Sequence, residues 1–333
     1  FETVVDRCMS EGLVGGEGFA ADASLIKAEA NRQRGVPGAE GLPPEAASRA
    51  IDEYLAVLDN AAFGGATPVV PKFISTSDPA SRWTGADKGP AYFAYATNYL
   101  IDLDHAVIVD VEATTAVRQA EVGAVRTMIE RVRERHDLQP SRLAADTAYG
   151  SAEMLDWLVN KQRIAPHIPV IDKSGRDDGT FARSDFTYDP AADTYCCPTG
   201  KTLKRNRRAF RTPRPNAPPD DTYRYRASKI DCDACALKSR CSPNTPARKV
   251  TRSIYEGARD LAREIAKTDA YVTSRRERKK VEMLFAHLKR ILRLDRLRLR
   301  GPQGARDEFH LAATAQNLRK LAKLIPPPIP ATA

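Results

Sequence analysis

What this 333-residue chain lacks narrows its reading first. No run of about 18 apolar residues occurs, so no membrane-spanning helix is expected. The opening stretch, FETVVDRCMSEGLVGGEG, has no basic leader followed by an apolar block, so it does not read as a signal peptide. It also has no initiator Met, so the chain looks clipped and an upstream segment is expected. Glycines at 12, 15, 16 and 18 are not followed by a helix start carrying Lys-Ser or Lys-Thr. They read as a turn into a strand rather than a phosphate loop. Internal repeats are absent.

What is present is the composition of a globular protein, with 42% hydrophobic and 29% charged residues. The length suits one large domain or two ordinary ones. The formal net charge is +9, and it is unevenly placed. From Arg275 to Arg300 eleven Lys or Arg stand against three acids, Glu277, Glu282 and Asp295. Such a density attracts polyanions, nucleic acid above all; the plainer reading is a solvated helix face.

Hydrophobic spacing gives the organisation. Residues 44–62 carry Ile51, Leu55 and Leu58 at helical intervals. AYFAYATNYLID (91–102) and HAVIVDVEAT (105–114) are separated only by Leu103 and Asp104, which predicts an antiparallel hairpin. A polar amphipathic helix is expected over about 116–135, then a short buried strand ending in a turn in RLAADTAYG (142–150). SAEMLDWLVNKQRI (151–164) reads as a helix with Ser151 as N-cap and Met154, Leu155 and Leu158 on one face. APHIPVI (165–171) reads as a further strand. This order predicts an α/β (α+β) core around a mixed sheet.

Residues 172–250 are rich in Gly, Pro, Asp, Arg and Cys, and their periodicity fades. An inserted subdomain held by something other than an apolar core is expected there. Helices return from Ser253: SIYEGARDLAREIAK, a longer one through about Leu292, and one over roughly 303–324 presenting Leu311, Ala315, Leu318 and Leu321. The expected division is a core of 1–171 and 251–325, the insertion 172–250, and a Pro-rich, disordered tail 326–333.

Six cysteines occur, five of them between Cys196 and Cys241. Without a secretory leader the cluster reads better as metal ligation than as disulfides. Cys197, Cys232, Cys235 and Cys241 give C-x34-C-x2-C-x5-C, spacing able to wrap a tetrahedral Zn²⁺. No His lies between 172 and 280, so these four are the complete local set; free buried thiols are the alternative. Zinc would give a Gly- and Pro-rich insertion folding energy that its core lacks. Lys201, Lys204, Arg205, Arg207, Arg208 and Arg211 suggest that the insertion also touches DNA. Cys8 reads as a core thiol.

Three acids carry the chemical reading. Asp22 lies amid the small apolar residues of GFAADASLI, where a carboxylate is costly unless a partner or metal neutralises it. Asp146 ends a strand before a Gly turn, as a turn residue or a site residue. Glu282 shares a helix face with Arg278, four back, and Lys289, seven on; the plain alternative is an ordinary i,i+4 ion pair.

Arg278, Glu282 and Lys289 resemble the helix signature of bacterial insertion-sequence DDE transposases, Tyr-x2-Arg-x3-Glu-x6-Lys. GFAADASLIKAEAN resembles the first-Asp strand of that family. DPASRW, FAYATNYLIDLDHAVIVD and LAADTAYGSAEML resemble its middle strands and second-Asp turn, and LRLRGPQGARDEFHLAATAQNLRKLAKL its C-terminal helix. The likeness runs in order over nearly the whole chain. It departs at Arg275, where the signature has Tyr.

The resemblance implies a ribonuclease-H-like core with a zinc-ribbon-like insertion and a catalytic triad of Asp22, Asp146 and Glu282. Two Mg²⁺ or Mn²⁺ ions held by these acids would serve DNA cleavage and strand transfer at the element's ends. Arg275, Arg278, Lys289 and Arg293 would contact phosphate. Cys196 becomes the spare thiol, since the family-like order is Tyr-x-Cys-Pro-x-Gly. Asp78 is a structural acid and the substitute should Asp22 fail. The implied partners are DNA and at least one further copy of the chain, with no membrane, in a bacterial cytoplasm at the nucleoid. A zinc-dependent nucleic-acid-binding protein without catalysis, or an inactive transposase fragment, remain the other readings.

Overall fold

The structure, a computed structural model, describes residues 1–86, 89–172, 174–205 and 221–325. The residues fall into two compact units, Phe1–Tyr149 with Gln162–Pro169 and Ile265 onward, and Gly150–Lys161 with Val170–Glu264.

The first unit is organised around β1 (Gly18–Lys27), whose Ala20 and Ile26 share one buried cluster with Phe93, Tyr95 and Tyr99. Helix α1 (Glu2–Ser10) precedes β1 and seats Cys8 beside Val107 and Leu321. Burial pushes the Cys8 thiol up to about 11, so it is an inert core thiol, as expected. A two-stranded antiparallel sheet pairs β2 (Gly35–Pro37) with β3 (Phe73–Ser75), and α2 (Arg49–Ala56) lies between them in sequence, capped by Ser48. Ile51 is buried on α2, but Leu55 and Leu58 are exposed, so the helical spacing there does not mark a buried face.

Next come β4 (Arg82–Ala86), the long β5 (Gly89–Asp102) and β6 (Ile108–Thr115). The expected hairpin is β5 with β6, antiparallel from Tyr95↔Thr115 to Ile101↔Ile108. The other edge of β5 runs antiparallel to β1, from Phe19↔Asp102 to Lys27↔Ala94. Helix α3 (Arg118–His136) leads to β7 (Arg142–Ala144), and β8 (Ala165–His167) completes the sheet. Both β7 beside β1 and β8 beside β7 are parallel. The sheet order β6–β5–β1–β7–β8 is therefore mixed, as expected.

Helices cover both faces. Asp110 and Glu112 point to one side of β6, where Arg131 of α3 salt-bridges both at 2.7 Å. The opposite side carries Val111 and Ala113, which pack in one cluster with residues of α9 (Lys279–Arg290) and α10 (Gly301–Leu324). The predicted long helix is divided into α8 (Asp269–Glu277) and α9, meeting at Arg278.

Of the apolar stripe expected on α10, Leu321 is buried, but the rest of the stripe is not the helix's buried face. Leu311 and Leu318 are exposed, whereas Phe309, Ala312, Ala313, Gln316 and Asn317 are buried. The reason is polar: β6 is an edge strand, and Asn317 satisfies both the N–H and C=O of Ile108 at 2.9 and 2.8 Å.

The second unit begins with α4 (Ala152–Asp156), capped by Ser151 as expected, with Met154, Leu155 and Leu158 fully buried. From Trp157 the chain continues as a π-helix. The unit's sheet is an antiparallel meander of β9 (Thr187–Asp189), β10 (Thr194–Cys196), β11 (Thr202–Lys204), β12 (Thr222–Arg226) and β13 (Lys249–Ser253). Helices α5 (Lys229–Asp233) and α6 (Lys238–Cys241) precede β13, and α7 (Glu256–Ile265) follows it.

Contrary to expectation, this unit has an apolar core, built from Phe181, Phe186, Tyr195, Leu203, Tyr225 and Val250. Tyr195 and Tyr225 meet edge to face at 5.1 Å. Aromatic side chains supply burial that the sparse aliphatic residues do not. Arg207, Arg208, Arg211 and the tail 326–333 lie outside the described residues. Among the described residues no helix is long and apolar enough to cross a membrane.

Candidate active site

Asp22 is carried by β1 opposite Tyr99 of β5. Its neighbours Ala20 and Ala21 are fully buried, while its own side chain keeps 19% exposure. Oδ1 accepts the Ala23 N–H at 2.8 Å, and Oδ2 accepts from Arg278 Nη1 at 3.1 Å. Arg278 gives its other terminal nitrogen to Glu282 Oε1, also at 3.1 Å. One guanidinium thus joins a strand carboxylate to a helical one.

Asp146 reaches the same place through the parallel pairing of β1 and β7. Ala20 is in register with Ala144, and each aspartate stands two residues further on. Its Oδ1 accepts the Ala148 N–H at 2.8 Å, so Asp146 also starts the turn Thr147–Tyr149. The turn role and a place beside Asp22 are compatible.

The electrostatics tie the three acids together. The Asp22 carboxyl is pushed up to about 6, chiefly by burial; the Ala23 N–H and Arg278 oppose this, and Asp146 and Glu282 reinforce it. Two further groups belong to the cluster. Glu121, in the first turn of α3, is raised by burial and by Asp146 and Asp22, against Arg118. The Tyr149 hydroxyl is raised well above its ordinary value by burial and by Asp22, Glu121 and Asp146. Sequence reasoning missed both, because neither sits in a spacing that marks a site.

Beside Asp146 lies a cavity of about 120 Å³, lined by Thr147, His167, Pro169, Tyr271, Arg275 and Arg278. Burial, then Arg142, lowers the His167 pKa, so its ring is favoured neutral. Its Nδ1 has no hydrogen-bond partner among the described residues.

Other expected residues stand apart. Lys289 is half-buried further along α9, its pKa lowered by burial and countered by Asp295. Arg293 follows that helix with a left-handed φ of 56°. Asp78 is fully buried and accepts from the Tyr95 hydroxyl. Burial raises its carboxyl to about 6 against that bond and the Gly301 N–H, which places it at the start of α10.

Among the described residues no three His, Cys, Asp or Glu side chains are grouped so as to hold a metal ion. The carboxylates nevertheless offer the oxygen donors a hard cation prefers, and Arg278 supplies positive charge between two of them. In the second unit Cys197, Cys232, Cys235 and Cys241 are free thiols lining one cavity of about 30 Å³. Burial raises the Cys241 thiol, as do Cys232, Cys197 and Cys235, against Arg248. Cys197 Sγ accepts the Lys201 N–H at 3.3 Å. These donors fit a soft tetrahedral cation in kind.

Residues 196–322 match the family model of the transposase DDE domain. Over that stretch the chain is similar to a transposase DDE domain. The match spans less than half of the chain and includes the cysteine cluster, Arg278 and Glu282, while Asp22 and Asp146 lie before it. Such a domain implies a transposase-type enzyme with DNA as substrate. Neither the comparison with curated proteins nor that with solved structures gave a match.

Proposed function

We propose that the transposase domain is the catalytic part of a bacterial insertion-sequence transposase, cutting and rejoining DNA at the ends of its element. The observation that carries this reading is the convergence on Arg278 of Asp22 from β1 and Glu282 from α9, with Asp146 beside them. Antiparallel β1, β5 and β6 continued by parallel β7 and β8 support a ribonuclease-H-like core. In that core Asp22 lies on the central strand and Asp146 just past its parallel neighbour.

Asp22, Asp146 and Glu282 are the ligands for Mg²⁺ or Mn²⁺ in this reading. Two such ions would supply Lewis acidity at the scissile phosphate and a nucleophile active at neutral pH. The chain's own groups prepare the place. Arg278 neutralises Asp22 and Glu282 before DNA arrives, and must release them to engage a phosphate. Arg275 adds a second cation at the cavity beside Asp146. Zn²⁺ held by Cys197, Cys232, Cys235 and Cys241 would fasten the turns around α5 and α6. At least two copies would be needed to hold both ends of an element.

The test is nicking of duplex DNA that bears the element's ends. The expected result is Mg²⁺- or Mn²⁺-dependent nicking that Asp146→Ala abolishes while binding persists. A protein that binds the ends but never nicks them contradicts the reading.

A further inference from the structure

Away from the carboxylates, the first unit holds a second charged feature. A groove of about 550 Å³ runs between α9, α10 and the turn joining β5 to β6. Lys280, Arg319, Lys320 and Lys323 line it, with Asp104 as the one acid in its lining. No carboxylate salt-bridges any of these four cations among the described residues. Lys280 donates to the carbonyls of Leu103 and Asp104, and Lys320 to that of His105 at 2.6 Å. Those bonds fasten the turn but leave the charges uncancelled. Arg319 and Lys323 are exposed.

The charges also crowd one another. The Lys320 pKa is lowered first by burial and then by Lys280 and Lys323, while that of His287 is lowered by burial, Arg319 and Lys323. An anion entering the groove would relieve this repulsion. At 3.6 residues per turn, Lys280 lies roughly 200° around α9 from Glu282. The groove is therefore on a different side of the helix from the carboxylate cluster.

We propose that this groove binds the phosphate backbone of a duplex DNA segment other than the one held at the carboxylates. The inference deepens the reading above and rests on it for DNA as the polyanion. The regular spacing of phosphates suits a row of cations drawn from two helices, and counterion release makes the contact salt-dependent. Met283, 70% exposed at the groove's wall, gives an apolar surface against which sugars can lie.

The experiment is duplex binding by fluorescence anisotropy in EDTA over a range of salt. It compares the unaltered protein, the double variant Arg319→Glu with Lys323→Glu, and a control, Arg34→Glu, at an exposed cation outside both sites. The double variant should bind roughly tenfold more weakly, and its log–log salt slope should fall by about 2, near 0.9 for each lost phosphate contact. The control should keep the unaltered slope. Replacing both residues with Ala should flatten the slope to the same degree, which separates lost contacts from introduced repulsion. An unchanged slope in the double variant overturns the inference. So does a poly-glutamate peptide that competes as well as duplex DNA per unit charge, since that favours an acidic protein partner. Binding in EDTA does not depend on cleavage, so a protein that never nicks but shows the slope change refutes the catalytic reading alone.

Discussion

Arg278 Nη1 lies 3.1 Å from Asp22 Oδ2, an ion pair between residues 256 positions apart. The same guanidinium reaches Glu282. This cation stands where the two carboxylates would otherwise face one another with little compensation.

Removing that cation should therefore expose a demand for metal. Arg278→Gln is expected to lower stability in EDTA by about 1 kcal/mol, within the range of partly exposed ion pairs. Mn²⁺ should then raise its melting temperature more than it raises that of the unaltered protein. Equal thermal shifts would show that Arg278 does not substitute for a metal.

Asp22 is costly to the fold, since burial disfavours its charged form. Asp22→Asn keeps an acceptor for the Ala23 N–H and removes the charge. In EDTA at neutral pH the variant is expected to melt about 2–5 °C higher than the unaltered protein while losing nicking. A lower melting temperature would mean that the Arg278 contact outweighs the cost of burial.

How much of this was legible beforehand depends on the kind of signal. The β5–β6 hairpin, α3 and the Ser151 cap follow from local periodicity and capping chemistry, and the structure has them. Asp22 stood out because a carboxylate among alanines in a strand is conspicuous. Glu121 did not, because an acid in a first helical turn is commonplace; only the packing of α3 brings it to Asp22 and Asp146. The face of α10 was misread because two polar residues, Gln316 and Asn317, are buried on it, their carboxamides bonded to the backbone of Leu284 and Ile108. The core of the second unit was missed because its aromatic residues are spread over several short strands, without one sustained period.

Glu256, only 1% exposed, is held by three arginines of the second unit. Burial opposes its charge, yet Arg183, Arg263 and Arg259 bring its carboxyl below the ordinary value of 4.5. A depressed carboxyl contributes stability that is present above the unfolded value and lost as pH falls through the folded one. Urea titrations of the unaltered protein and Glu256→Gln should differ by about 3 kcal/mol at pH 7, and the gap should narrow as pH falls below the ordinary carboxyl value of 4.5. A gap independent of pH would refute the ionic account.

The cysteine cluster makes a separate prediction. Metal analysis should find about one zinc per chain, as a four-thiolate site requires. Cys235→Ser should lose that zinc and become more susceptible to proteolysis in Lys229–Arg248. Full zinc retention in the variant would exclude the four-cysteine site.

The account stands most directly on metal binding by the acids themselves. Mn²⁺ titration monitored by electron paramagnetic resonance, with DNA bound, measures it. Asp22→Asn, Asp146→Asn and Glu282→Gln should each weaken Mn²⁺ binding at least roughly tenfold, the scale set by losing a ligand or its support. Three variants that bind Mn²⁺ as the unaltered protein does would contradict it.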